Sequence, residues 1–189
     1  MAPGCTLCRV STLSVQATIL SDMTPTNMLT LITIRIALSC YAIVVGLLLA
    51  GFRGQRYRDL LRPLWTAACF AFVCHVISAF HFTHRWNHQD AIQKTAKQTQ
   101  ELLGWAFGEG LYFSYLFLFL WVADVFCWWR NPYRYESRPA WLSFAVHGYL
   151  FFIAFNGAVI FECGITRIGG ILATVVFTAI LLRRRLART

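Results

Sequence analysis

Five long apolar runs decide most of what this chain can fold into. They cover residues 29–50, 64–82, 111–129, 140–161 and 165–182, each roughly 18–22 residues long. At about 1.5 Å per helical residue, such a run crosses a hydrocarbon core about 30 Å thick. A soluble core would space its apolar residues at a helix or strand period, whereas these runs are apolar on every side. The sequence is 58% hydrophobic and only 13% charged, against about 25% charged in soluble domains. Lipid is therefore the solvent of these runs. Inside lipid the backbone must satisfy its own polar groups, which selects helices. The expected fold is all-α: a multi-pass transmembrane helical bundle of about five spans, forming one domain over residues 28–189.

Residues 1–27 read differently. They hold no basic region followed by an apolar one, and Leu13 to Leu20 is too short and polar for a signal-peptide core. This segment reads as a disordered tail or a misassigned start, with Met23 and Met28 as alternative starts. Cys5-Thr-Leu-Cys8 lacks the following His of a haem-attachment site and a second pair for zinc. Of the remaining cysteines, Cys40, Cys69, Cys74 and Cys127 fall inside apolar runs and read as small packing residues.

The formal charge of +9 does not point to nucleic acid, because the arginines form short clusters at the ends of the apolar runs. Arg53, Arg56, Arg58 and Arg62 fill one connection, and Arg130, Arg134 and Arg138 a second. Arg183, Arg184, Arg185 and Arg188 close the chain. The alternate connections carry Arg9, Arg85, Lys94, Lys97 and Arg167 over longer stretches. The positive-inside rule then puts the N-terminus outside and the C-terminus in the cytoplasm, in a cell (inner) membrane. Trp65, Trp128, Trp129 and Trp141 mark the inner interface and Trp86 and Trp105 the outer one. Pro63 is expected in the first turn of the second helix, where its missing N–H does no harm. Span five is the softest, weakened by Arg167 and the Gly169-Gly170 pair.

Thr83 to Gly110, between spans two and three, is the one long connection and is expected to form an extracytoplasmic helical extension. Either span two continues through it as a helix, or a new helix starts near Asn87 or Asp90. Its first turns read His81-Phe-Thr-His84-Arg-Trp-Asn-His88. On a continuous helix these three imidazoles fall within about a 60° sector at about 100° per residue. Imidazole is a frequent metal ligand, so His81, His84 and His88 form a candidate metal site. Glu109, Asp90 and Glu162 would add an oxygen ligand or orient the rings. Zinc and copper suit such a site best, and haem is a further option. The competing reading is interfacial packing or pH-sensitive hydrogen bonding. His75 and His147 lie at depths of roughly 18 and 12 Å from the inner face, a mismatch that argues against one haem held between them.

Ionisable groups inside spans need partners. Arg35 is expected to pair with Glu109 or Glu162, and Asp124 and His147 to tie the bundle together at its inner half. Gly157, Gly169, Gly170 and Ala173 would let helices approach closely. Span three offers only Ser114, Tyr115 and Asp124 toward a proton path. No catalytic constellation is complete, so the expectation is not an enzyme but a noncatalytic accessory or assembly component of a membrane complex. A metal- or haem-binding membrane protein is the alternative, and a small transporter or channel the next. The expected partners are the lipid bilayer and other membrane-protein subunits, with no nucleic acid.

Overall fold

A computed structural model describes residues 25–52, 54–162 and 164–187. The Cys5–Cys8 pair, Cys163, Arg53 and Arg188 lie outside the described residues, as does most of the segment read as a tail. Among the described residues there is helix, turn and loop but no strand, as a chain solvated by lipid requires. Seven α-helices follow one another: α1 (Pro25–Ala50), α2 (Gln55–Ser78), α3 (His88–Leu103), α4 (Gly110–Arg130), α5 (Pro132–Glu136), α6 (Ala140–Phe155) and α7 (Gly164–Leu186). A π-helical turn extends α2 over Ala79–Thr83, and another extends α6 over Asn156–Ile160. Among the described residues, five helices are long and apolar enough to cross a membrane: α1, α2, α4, α6 and α7, the second and fourth counted with their π-turns.

The spanning helices close a ring. α1 packs most extensively on α2, α2 on α4, α4 on α6, and α7 on both α1 and the π-turn after α6. Aromatic side chains fill its middle. Trp65 contacts Trp121 with ring centroids 5.0 Å apart, Tyr41 contacts both at 5.5 Å, and Phe117 lies 5.3 Å from Trp121. Such tilted and edge-on contacts each add about 0.5–1.5 kcal/mol beyond area burial. Gly170 sets the closest approach. A Cβ there would lie 2.8 Å from Val159 and 3.0 Å from Ala158, so only glycine lets α7 seat against the π-turn.

Several boundaries differ from the sequence reading. Helix α2 begins at Gln55, so the arginine-rich connection is itself largely helical and Pro63 sits inside the helix rather than in its first turn. The proline removes one backbone donor, and burial of Arg58, Leu61 and Trp65 around it holds the segment helical. Helix α1 starts at Pro25, so the last three residues of the expected tail are helical. Trp65 and Trp128 are 1% and 3% exposed. They are core residues and not interfacial anchors, because their turns face the ring's interior. Trp129 and Trp141 are exposed, as an interfacial position requires.

The helical extension beyond α2 is broken. The chain leaves the π-turn through Arg85 and Trp86, both at positive φ (48° and 61°), a backbone region that residues with side chains rarely adopt. Asn87 then caps α3, its side-chain oxygen accepting from the Asp90 N–H at 3.2 Å. Helix α3 ends at Gly104, whose φ of 83° suits a left-handed cap. The helix lies against the start of α4, where Gly108 passes so close to Ile92 that a Cβ would lie 2.7 Å from its side chain.

Candidate functional site: a buried carboxylate network

Asp124, on the inward face of α4 and 4% exposed, anchors a buried polar network. A carboxylate at that depth must be ionised with strong partners or neutral. Here it has three donors, one from α2 and two from the connection between α4 and α6. Arg138 Nη1 donates to Oδ1 at 2.6 Å, while Oδ2 accepts from Tyr135 Oη at 2.8 Å and Trp65 Nε1 at 3.0 Å. The short Arg138 contact is a charge-assisted bond between two groups with little access to solvent.

Local sequence explains how the partners arrive. Asn131 breaks α4 and caps the short helix α5, accepting from the Arg134 N–H at 3.0 Å, with Pro132 in the first helical position. That turn folds Tyr135 back beneath Trp128, their rings nearly parallel at 6° and 4.8 Å apart. Arg138 follows on the other face of Tyr135, its guanidinium 4.0 Å from the ring centroid. An indole, a phenol and a guanidinium thus form one stack leading to the carboxylate. Burial, with the Asp124 carboxylate beside it, pushes the Tyr135 phenol well above its usual pKa, so it stays a donor.

Arg138 continues the network into α6. Its Nη2 donates to Tyr135 Oη at 3.1 Å and lies 2.9 Å from His147 Nε2, while Nε donates to Ser143 Oγ at 2.7 Å. A guanidinium has only donors, so His147 Nε2 must be the acceptor and the imidazole proton lies on Nδ1. Asp124 and His147 do not pair directly as expected; Arg138 lies between them and contacts both. Two neighbouring arginines of α2 are also held by aromatics. Arg62 lies 4.0 Å from the Trp129 ring centroid, and Arg58 lies 5.2 Å from that of Tyr133 and 3.6 Å from Glu136. At the same end Arg184 donates to the Leu49 carbonyl at 2.7 Å, satisfying the C-terminus of α1. It passes over Gly51, where φ is 91° and a Cβ would lie 2.5 Å from its guanidinium.

The histidines singled out by spacing are distributed among separate partners. Because the helix breaks after Thr83, His81, His84 and His88 do not share one helical face. His81 Nδ1 accepts from Trp86 Nε1 at 3.2 Å. His84 Nδ1 lies 2.8 Å from Asp90, and Lys94 holds the same carboxylate oxygen at 2.9 Å. Those two contacts pull the Asp90 carboxyl below the usual carboxylate range, Lys94 contributing most. His88 Nδ1 lies 3.0 Å from Tyr115 Oη and its ring stacks on the same phenol. Glu109 stands exposed just before α4 and makes no capping bond. His75 Nδ1 lies 3.0 Å from the Thr30 carbonyl, which fastens α2 to α1. Among the described residues, no three His, Cys, Asp or Glu side chains gather as a metal site would require.

Arg35 forms no ion pair with Glu109 or Glu162. Its helix contacts α2 and α7, and the guanidinium-bearing residue lies on the exposed side of α1.

A lipid-solvated ring of five helices around an aromatic core defines an integral membrane protein. Comparison with protein-family models, with curated proteins and with solved structures finds no match for this chain.

Proposed function

We propose that this protein is a noncatalytic component of a membrane complex, its polar interior serving to fix the bundle as a scaffold. One observation carries the reading. Both oxygens of Asp124 are engaged by Arg138, Tyr135 and Trp65, so this buried charge joins α4 to α2 and to the connection leading into α6. A carboxylate held by three side chains of its own protein is suited to packing, not to turnover. Lipid and neighbouring membrane subunits are the partners this surface fits, and residues 28–189 act as one domain.

Orientation belongs to the same proposal. Arg58, Arg62, Arg138 and Arg184 all gather at one end of the ring, and we assign that end to the cytoplasm of a cell (inner) membrane, with the N-terminus outside. Purification in mild detergent tests the role: the expected result is a second membrane protein recovered at fixed stoichiometry. A lone monomer after crosslinking in intact membranes would contradict it. Reactivity of a cysteine placed at Arg134 toward an impermeant reagent, in intact cells, would overturn the orientation.

A metal- or haem-binding role for His81, His84, His88 and Glu109 is the second reading. It requires His84 to leave Asp90 and His88 to leave Tyr115 before the rings converge. Zinc or copper retained by the wild type and lost in the triple His→Ala variant would establish it. A transporter or channel is the third reading, tested by flux in reconstituted vesicles.

A further inference from the structure

Arg35 belongs to none of the networks described above. Arg35 lies seven residues inside the apolar stretch that starts at Met28, about 10 Å along the helix axis. No hydrogen bond or ion pair holds it among the described residues, and it is exposed. Its neighbour in charge, Arg138, has a carboxylate, a phenol, an imidazole and a hydroxyl. An arginine inside hydrocarbon without such partners is costly, and it turns toward the interface to find an anion.

Beside it is a cleft. Helices α1, α6 and α7 enclose a cavity of about 300 Å³, with Arg35 and Thr166 among the residues toward one end and Phe151 and Phe177 toward the other. From Ile165 to Phe177 it runs along about 18 Å of α7. Its walls are almost entirely apolar. Gly169 carries no atom within 4 Å of where a Cβ would stand, which leaves that wall open. The π-turn after α6 contributes Ala158 to the lining, and such turns widen a helix locally where ligands bind. Tyr41 also lines the cleft. Its hydroxyl is buried without a hydrogen-bond partner, although Tyr41 is 3% exposed.

The shape and the arginine specify the occupant. A long apolar slot with a cation at its mouth takes an acyl chain bearing an anionic head. A glycerophospholipid with a net negative head has both, in its phosphate and its acyl chains. We infer that the cleft between α1, α6 and α7 binds one anionic glycerophospholipid, its phosphate on Arg35 and one acyl chain running past Gly169 toward Phe177. The lipid is a bound component of the fold, filling a seam where α7 would otherwise be poorly packed. It does not depend on the proposed role in a complex.

Native mass spectrometry of the full chain, titrated with phosphatidylglycerol or with phosphatidylcholine in mixed micelles, tests this. Phosphatidylglycerol should bind about tenfold tighter or better, as a charge-assisted contact predicts. Arg35→Gln should abolish that preference while leaving the protein folded, since it removes a lone charge from a span. Gly169→Leu, which fills the slot without touching the charge, should weaken both lipids alike. Arg134→Gln, at the far end and outside the cleft, should change neither. Equal affinity for the two lipids in the wild type, or an unchanged preference in Arg35→Gln, would overturn the site. Loss of a co-purifying protein from Arg35→Gln with lipid binding intact would also overturn it, by giving the arginine an acidic protein partner instead.

Discussion

The two ends of the helical ring both collect polar and aromatic side chains, yet they use them in opposite ways. At the arginine-rich end, beside local contacts of Arg138 with Tyr135, Ser143 and His147, several are long in sequence: Trp65 meets Asp124, Trp129 meets Thr66 at 2.8 Å, and Arg184 reaches Leu49. At the histidine-rich end most are local, as in His81 with Trp86, His84 with Asp90 and Lys94 with Asp90; His88 with Tyr115 is the exception. Long-range contacts restrict how helices sit on one another, and local ones shape only the segment that makes them. The first end is therefore a lock on the bundle, and the second a solvated connection with its own turns.

Substitutions that unbalance the lock should give the largest losses. Asp124→Ala leaves the Arg138 guanidinium, 13% exposed, without its counter-ion, and removing one partner of such a pair costs about 3–5 kcal/mol. Thermal unfolding in detergent should show a drop of many degrees, with Asp124→Asn intermediate because it keeps acceptor capacity.

Next in size is the seam of α7. Gly170→Val pushes a side chain into Val159 and Ala158, and overpacking of this kind costs about 1–3 kcal/mol. Disulfide crosslinking between α7 and the π-turn should fall in this variant. An unchanged crosslinking yield would show that the seam relaxes freely.

The histidine end should respond least. Lys94→Ala removes an accessible, solvent-screened ion pair and should barely move thermal unfolding. Its pH behaviour follows from the direction of the Asp90 shift. The folded pKa is depressed, so the Asp90 contribution is fully present above the ordinary carboxylate value near about 3.9 and is lost as pH falls through the lower folded value. Hydrogen exchange in α3 should accordingly stay flat from neutral pH to about pH 5 in Asp90→Asn relative to wild type, with the two converging only in stronger acid. Convergence at mildly acidic pH would assign the effect to another group.

Much of the fold was legible in the residues, because span length and composition report the solvent directly. All five spans follow from apolar run length, while the restart capped by Asn87 was one of the alternatives that the sequence left open. The site was much less legible. Asp124 stood out as an acid within an apolar run, but Arg138 read as one more basic residue of a connecting loop. Only the fold-back through Asn131 and Pro132 carries it inside, and that depends on Tyr135 stacking on Trp128 across a turn. Trp65 misled for a related reason: its place near the end of an apolar run suggests an interface, whereas the helix begins two turns earlier and buries it. The shared face expected of the three histidines is not what the backbone gives. Their spacing is meaningful only on an unbroken helix, and the positive-φ pair Arg85 and Trp86 breaks it without a glycine or proline to signal the break.

The central claim is that Asp124 and Arg138 act as one unit holding the bundle together. A double-mutant cycle tests it, using thermal or denaturant unfolding of wild type, Asp124→Leu, Arg138→Leu and the double variant in one detergent. Each single change should destabilise by about 3–5 kcal/mol, and the double variant should lose no more than either single one, because it leaves no stranded charge. Simple additivity, with the double variant losing the sum of both, would show that the two residues act independently and that the lock does not exist.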